Sequence, residues 1–239
     1  MKISTKIFLK TIPKKIRRLI ALDTFPFLNN SYSQEGEDLI IDKLLGYKKS
    51  GFYVDIGAHH PLRFSNTAIF YERGWNGINI DAMPSGMLEF NRLRKRDINL
   101  ELAISNVEEI MQFYIFNESA LNTLNKAEAK SKDGKNGYYI SKIIELKTIG
   151  LKEVLDRHII DKNLEIDFFS IDTEGNDLNV LKSNNWTKYK PNLILVEDLK
   201  NRKIEDLINS DLSIFLNNYN YSIVAKTINT IIFKRINAE

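Results

Sequence analysis

Phe52-Tyr53-Val54-Asp55-Ile56-Gly57-Ala58-His59-His60 is the stretch on which the fold turns. Its first five residues are aromatic or β-branched around a single acid, the make-up of a short strand covered on both faces. Gly57 then permits a tight turn and close backbone approach. Working outward, Gly77-Ile78-Asn79-Ile80-Asp81 reads as a second strand, stopping on an acid 26 residues after Asp55. The residues between, 67–73, read as a helix closed by Gly74. Upstream, Ser33 is placed to cap a helix within 31–45 that carries Leu39, Ile40, Leu44 and Leu45 on one side.

The alternation continues downstream. Residues 85–95, 151–160 and 176–184 read as helices, and a further helix lies within 203–217. Residues 100–104, 110–116, 143–149, 166–171 and 193–196 read as strands, and 221–225 with 230–234 as a closing hairpin. Strands alternating with helices imply an α/β, Rossmann-like fold: a mostly parallel sheet flanked by helices, with the antiparallel hairpin at one edge. Residues 118–142 are polar, show no periodicity and read as a long loop, which in a compact domain is usually functional or disordered.

The 239 residues fit one such domain after a basic extension. Residues 1–30 carry Lys2, Lys6, Lys10, Lys14, Lys15, Arg17 and Arg18 against Asp23, so the rest of a chain of net charge +3 is slightly acidic. The extension reads as a solvated lead-in, with peripheral membrane contact as the alternative; nucleic acid is not an expected partner, and self-association stays open. No run reaches the roughly 20 apolar residues that span a bilayer. There is no cysteine, which removes disulfides, thiolate metal sites and cysteine nucleophiles and suits a reducing cytoplasm, the expected location.

In open α/β sheets ligands sit at the carboxyl ends of the strands. The first such end is the Gly57 turn, and the second is Asp81, whose carboxylate can take both hydroxyls of a ribose. Paired in this order they point to an adenosine ligand. A dinucleotide site needs G-x-G-x-x-G to admit a pyrophosphate. Here Gly57-Ala58-His59-His60-Pro61-Leu62 has one glycine and a crowded turn, which favours S-adenosylmethionine, a ligand without phosphate, over NAD. Two later strand ends are also acidic: Asp172-Thr173-Glu174-Gly175 and Glu197-Asp198. Carboxylates gathered there repel one another unless one has a raised pKa, a basic partner is present, or a divalent cation binds. Asp172, Glu197 and Asp198 are therefore candidate ligands for Mg²⁺ or Mn²⁺, with helix capping the plainer role for the last two. A metal would acidify an acceptor hydroxyl; alternatively Asp172, His59 or His60 is the general base.

Ser33-Gln34-Glu35-Gly36-Glu37-Asp38, Phe52–Ala58, Asp81, Ala103-Ile104-Ser105 and Ser170-Ile171-Asp172-Thr173-Glu174-Gly175, in this order, resemble the FkbM-type methyltransferases across about residues 31–235. The resemblance implies a class I methyltransferase domain over residues 31–239. It also implies O-methyl transfer from S-adenosylmethionine to a sugar or nucleotide-sugar hydroxyl, in bacteria often in surface glycan (capsule or lipopolysaccharide) biosynthesis. By position it implies cofactor binding by Gln34, Asp55, Gly57, Ala58, Asp81 and Ala103. The segment 118–142 becomes a candidate lid on the acceptor side, with Tyr138 and Tyr139 as candidates to stack on a sugar. An NAD-dependent sugar-modifying enzyme and an inactive methyltransferase-like binding module are the alternatives.

Overall fold

Five consecutive buried residues, Phe52–Ile56, form the central strand β1 of a computed structural model that describes residues 29–161, 164–198 and 203–236. The basic extension therefore lies almost wholly outside the described residues. Tyr53 packs on one face of the sheet with Phe70, Trp75 and Phe168, while Val54 and Ile56 pack on the other with Leu155, Val180 and Phe169. This two-sided burial is why β1 is apolar at every position but Asp55 rather than alternating with polar residues.

β1 runs parallel to β2 (Asn76–Asp81) on one side and to β7 (Phe168–Ile171) on the other. The seven-stranded sheet has the order β3-β2-β1-β7-β8-β10-β9, with β3 at Ile98–Glu101, β8 at Leu193–Glu197, β9 at Tyr221–Lys226 and β10 at Thr230–Arg235. The β9–β10 hairpin is antiparallel, as expected, and β10 pairs with β8. Helices α1 (Glu37–Leu44), α2 (Ala68–Arg73) and α3 (Met87–Leu93) precede β3 in sequence. From β1 the chain steps outward to β2 and β3, and later returns to β7 and β8 on the opposite side of β1. The strand order thus reverses between β1 and β7, which opens a crevice at their carboxyl ends.

Two expectations change. Residues 100–104, read as one strand, are two: β3 ends at Glu101, and β4 (Ala103–Ile104) joins a separate three-stranded sheet, β4-β6-β5. The Leu102 amide donates to the Asp81 carbonyl at 2.9 Å, after which the chain leaves β2. β5 (Ile110–Phe116) is antiparallel to β6, which spans Ile140–Ile149.

Nor is 118–142 a loop. It holds a 3₁₀ turn (Ser119–Leu121), helix α4 (Lys126–Lys132) and the first residues of β6. Helix α4 reads KAEAKSK and buries only Ala129, so no hydrophobic period announces it. Its start is set by the Asn125 side chain, which accepts from the Ala127 and Glu128 amides. Helices α5 (Leu151–His158), α6 (Asp177–Lys182), α7 (Ile204–Leu207) and α8 (Asp211–Asn217) complete the described residues.

Candidate functional site

The turn after β1 is held shut by close backbone contact. Gly57 has φ +79°, and a Cβ there would lie 1.7 Å from the Asp172 carbonyl oxygen. The Gly57 and Ala58 amides donate to the Ile80 carbonyl at 2.9 and 3.1 Å, tying the turn to β2. Next door, the His59 amide donates to Asp81 Oδ2 at 2.9 Å and the Met83 amide to Oδ1 at 2.8 Å. The Asp81 carboxylate is thereby fixed at the edge of the crevice, and burial raises its pKa. Burial lowers the pKa of His59, which keeps its imidazole neutral at neutral pH.

A cleft opens above this turn, with about 830 Å³ of empty space counting its open mouth. Gln34, Gly57, His59 and Asp81, all expected at a site, line it; so do Asp172 and Glu197. Five other expected residues, Asp55, Ala58, His60, Ala103 and Asp198, do not. Asp55 projects to the opposite face of β1 from Ile56, as strand alternation requires. Its carboxylate accepts from Thr67 Oγ1 at 2.9 Å, and burial pushes its pKa up to about 6. Ala58 is buried against Met87 and Phe90. Ala103 is buried against Phe113 and Leu124, which line the cleft together with Leu102 and Ile104 while Ala103 does not. His60 Nδ1 accepts from the Leu62 and Arg63 amides at 3.0 and 2.9 Å, so this ring caps its own turn.

The acids after β7 and β8 meet at the cleft floor, but not in the expected combination. One carboxylate oxygen each of Asp172, Glu174 and Glu197 lies within 4.8 Å of the others. Glu174, on a left-handed turn (φ +52°) after β7, takes the place expected for Asp198, which follows Glu197 and so projects to the opposite side. Asp198 is buried, and its amide donates to the Asn229 carbonyl. Lys132 Nζ reaches Glu174 Oε2 at 2.5 Å and so supplies the basic partner that the sequence left open. Asp172 is open to the cleft, yet enough protein surrounds it that desolvation, then the charges of Glu174 and Asp177, hold its pKa well above the carboxylate range. Desolvation, then the charges of Asp172, Glu174 and Asp177, push Glu197 up to about 12. Its Oε2 is buried without a hydrogen-bond partner among the described residues.

The Asp172–Gly175 loop is braced from two sides. Asp177 accepts from the Thr173 amide, the Thr173 hydroxyl and the Gly175 amide. From the segment read as a loop, the Thr123 hydroxyl donates to the Glu174 carbonyl at 2.7 Å and Asn125 Nδ2 to the Gly175 carbonyl at 2.8 Å. That segment contributes Ser119, Ala120, Asn122, Thr123 and Leu124 to the cleft wall, whereas Tyr138 and Tyr139 are exposed and do not line it. At the rim Arg63 grips Glu118 through two hydrogen bonds of 2.9 and 3.1 Å. Phe64, Asn122 and Lys132 went unmarked in the sequence, since none sits in a periodic or motif context.

The methyltransferase FkbM domain matches residues 55–223, about seven tenths of the chain. The protein belongs to the FkbM methyltransferase family. No curated protein matches the chain. Among solved structures, a proposed RNA methyltransferase from Pyrococcus horikoshii is 12% identical with a TM-score of 0.40, over 95% of this chain and 100% of that one. An O-methyltransferase from Bacillus cereus in complex with S-adenosylhomocysteine is 12% identical with a TM-score of 0.39, over 93% and 91%. A methyltransferase from Geobacter sulfurreducens is 10% identical with a TM-score of 0.36, over 99% and 98%. For this FkbM chain, no helix of the described residues is long and apolar enough to cross a membrane.

Proposed function

We propose that this FkbM methyltransferase is an S-adenosylmethionine-dependent O-methyltransferase that modifies a hydroxyl of a sugar or nucleotide-sugar in the cytoplasm, for surface glycan biosynthesis. One observation carries the reading: Asp172 stands on the floor of the cleft that also holds the Gly57 turn and Asp81. A cofactor whose ribose meets Asp81 places its methionine end beside the Gly57 turn, and Asp172 is tied to the strand end just before that turn by its amide, which donates to the Ile56 carbonyl at 2.9 Å.

A sugar hydroxyl is a poor nucleophile until its proton is removed. Asp172 has a raised pKa, which makes it a stronger base than an exposed carboxylate. In the proposed step Asp172 takes the hydroxyl proton while the oxygen lone pair attacks the sulfonium methyl carbon. The carbon–sulfur bond breaks with its electrons going to sulfur, leaving neutral S-adenosylhomocysteine, the methyl ether and protonated Asp172. His59, held neutral and lining the cofactor side, shapes that end of the cleft.

A second reading is favoured by the buried, unpartnered Oε2 of Glu197. Three hard oxygen donors within 4.8 Å of one another fit Mg²⁺ or Mn²⁺. Asp172, Glu174 and Glu197 would hold the ion, which when bound lowers the pKa of an oxygen that it touches. The Lys132–Glu174 pair speaks for the metal-free form, since it already supplies a positive charge. Activity that survives exhaustive chelation rules the metal out.

Calorimetry with S-adenosylhomocysteine and with NAD tests the cofactor, and absence of heat with S-adenosylhomocysteine sinks the proposal. A methyl-transfer screen over nucleotide-activated sugars tests the acceptor.

A further inference from the structure

We propose that the acceptor enters through a second, smaller chamber beside Asp172, and that the sugar ring it admits carries no negative charge. The inference rests on the reading of the acceptor as a sugar hydroxyl and narrows it. The chamber shares Gln34, Phe64, Asp172 and Glu197 with the cofactor cleft. The two spaces therefore meet at the residue assigned to proton removal, which is the arrangement that in-line transfer between two bound reactants requires.

The chamber's charge is one-sided. Glu35 and Glu37 line it beside Asp172, and among the described residues no lysine or arginine does. The two outer carboxylates cannot swing away. Glu35 accepts from the Asn229 amide at 3.0 Å and from Asn229 Nδ2 at 2.8 Å. Glu37 accepts from the Glu35 amide at 2.8 Å and from the Thr230 hydroxyl at 3.1 Å. Cations near the adjoining cleft are already engaged, Lys132 by Glu174 and Arg63 by Glu118. A carboxylate or phosphate on the reacting ring would meet like charge with no counter-ion among the described residues, which disfavours it. Ring hydroxyls meet carboxylate acceptors together with the amide side chains of Gln34, Asn66 and Asn229. For a nucleotide-sugar, the diphosphate then stays outside this chamber.

The experiment measures methyl transfer from labelled S-adenosylmethionine to matched pairs, methyl glycosides against methyl glycuronides in the gluco, galacto and manno series, after calorimetry has shown S-adenosylhomocysteine binding. We expect each uronide to react at least about tenfold more slowly than its neutral partner, as like charges near 5 Å dictate. Glu35→Gln should narrow that gap while retaining an acceptor for Asn229. A uronide methylated as fast as its partner, or a gap unchanged in both Glu35→Gln and Glu37→Gln, overturns the inference and leaves sugar O-methylation standing. Methylation of no sugar by a protein that binds S-adenosylhomocysteine removes the sugar reading and the inference with it.

Discussion

A methyl group added at Gly57 would sit 1.7 Å from the Asp172 carbonyl oxygen, at a backbone angle that side chains avoid. Gly57→Ala is therefore expected to cost about 1–3 kcal/mol or more of stability by overpacking, with loss of S-adenosylhomocysteine binding in calorimetry. Asp172 invites the opposite kind of test. Asp172→Asn keeps the shape and removes the base, so kcat should fall on the order of 10²–10⁴-fold while S-adenosylhomocysteine affinity moves by only a few-fold. Asp55 was legible as a marked residue, but its position under the turn gives it a different consequence. Its folded pKa of about 6 exceeds the ordinary 3.8, because burial favours the neutral acid. The stability this provides is complete below about pH 4 and is lost as pH rises through 6. Asp55→Asn, neutral throughout, should remove a slope worth on the order of 3 kcal/mol from the pH dependence of unfolding. Identical slopes in wild type and variant would show that Asp55 does not titrate in this range.

At the scale of elements, the segment 118–142 separates what periodicity reveals from what it hides. β5 is legible because it is apolar or aromatic at every position but Gln112, whereas α4 is a small-residue helix with a single buried alanine. What makes α4 a helix in place is its Asn125 cap and the grip of Lys132 and Asn125 on the Glu174–Gly175 loop. Asn125→Ala removes the cap and the tether together, and urea denaturation should show a loss of about 1–2 kcal/mol. An unchanged midpoint would mean that the helix is held by its packing alone.

For the whole molecule, cofactor binding couples to folding, because the cleft is built from β1, β2, β8, the loop after β7 and the 119–124 segment at once. S-adenosylhomocysteine at a hundred times its Kd should stabilise the protein by about 2.7 kcal/mol, which for a chain of this size raises Tm by roughly 5–10 °C. A Tm that does not respond to S-adenosylhomocysteine would argue against the cofactor. The amino-acid sequence by itself determined the parallel sheet, the glycine turn and the acids at the strand ends. Each of these is written in neighbouring residues, as a period of two, a helix boundary or a strand stop. Only the tertiary structure decided which of those residues meet. Asp198 stays out of the Asp172, Glu174 and Glu197 group because successive residues at a strand end face opposite ways, and Glu174 enters it on the left-handed turn after β7. Asp55 faces away from the cleft by the same alternation, while Lys132 reaches Glu174 across 42 residues of chain through contacts that no local pattern records.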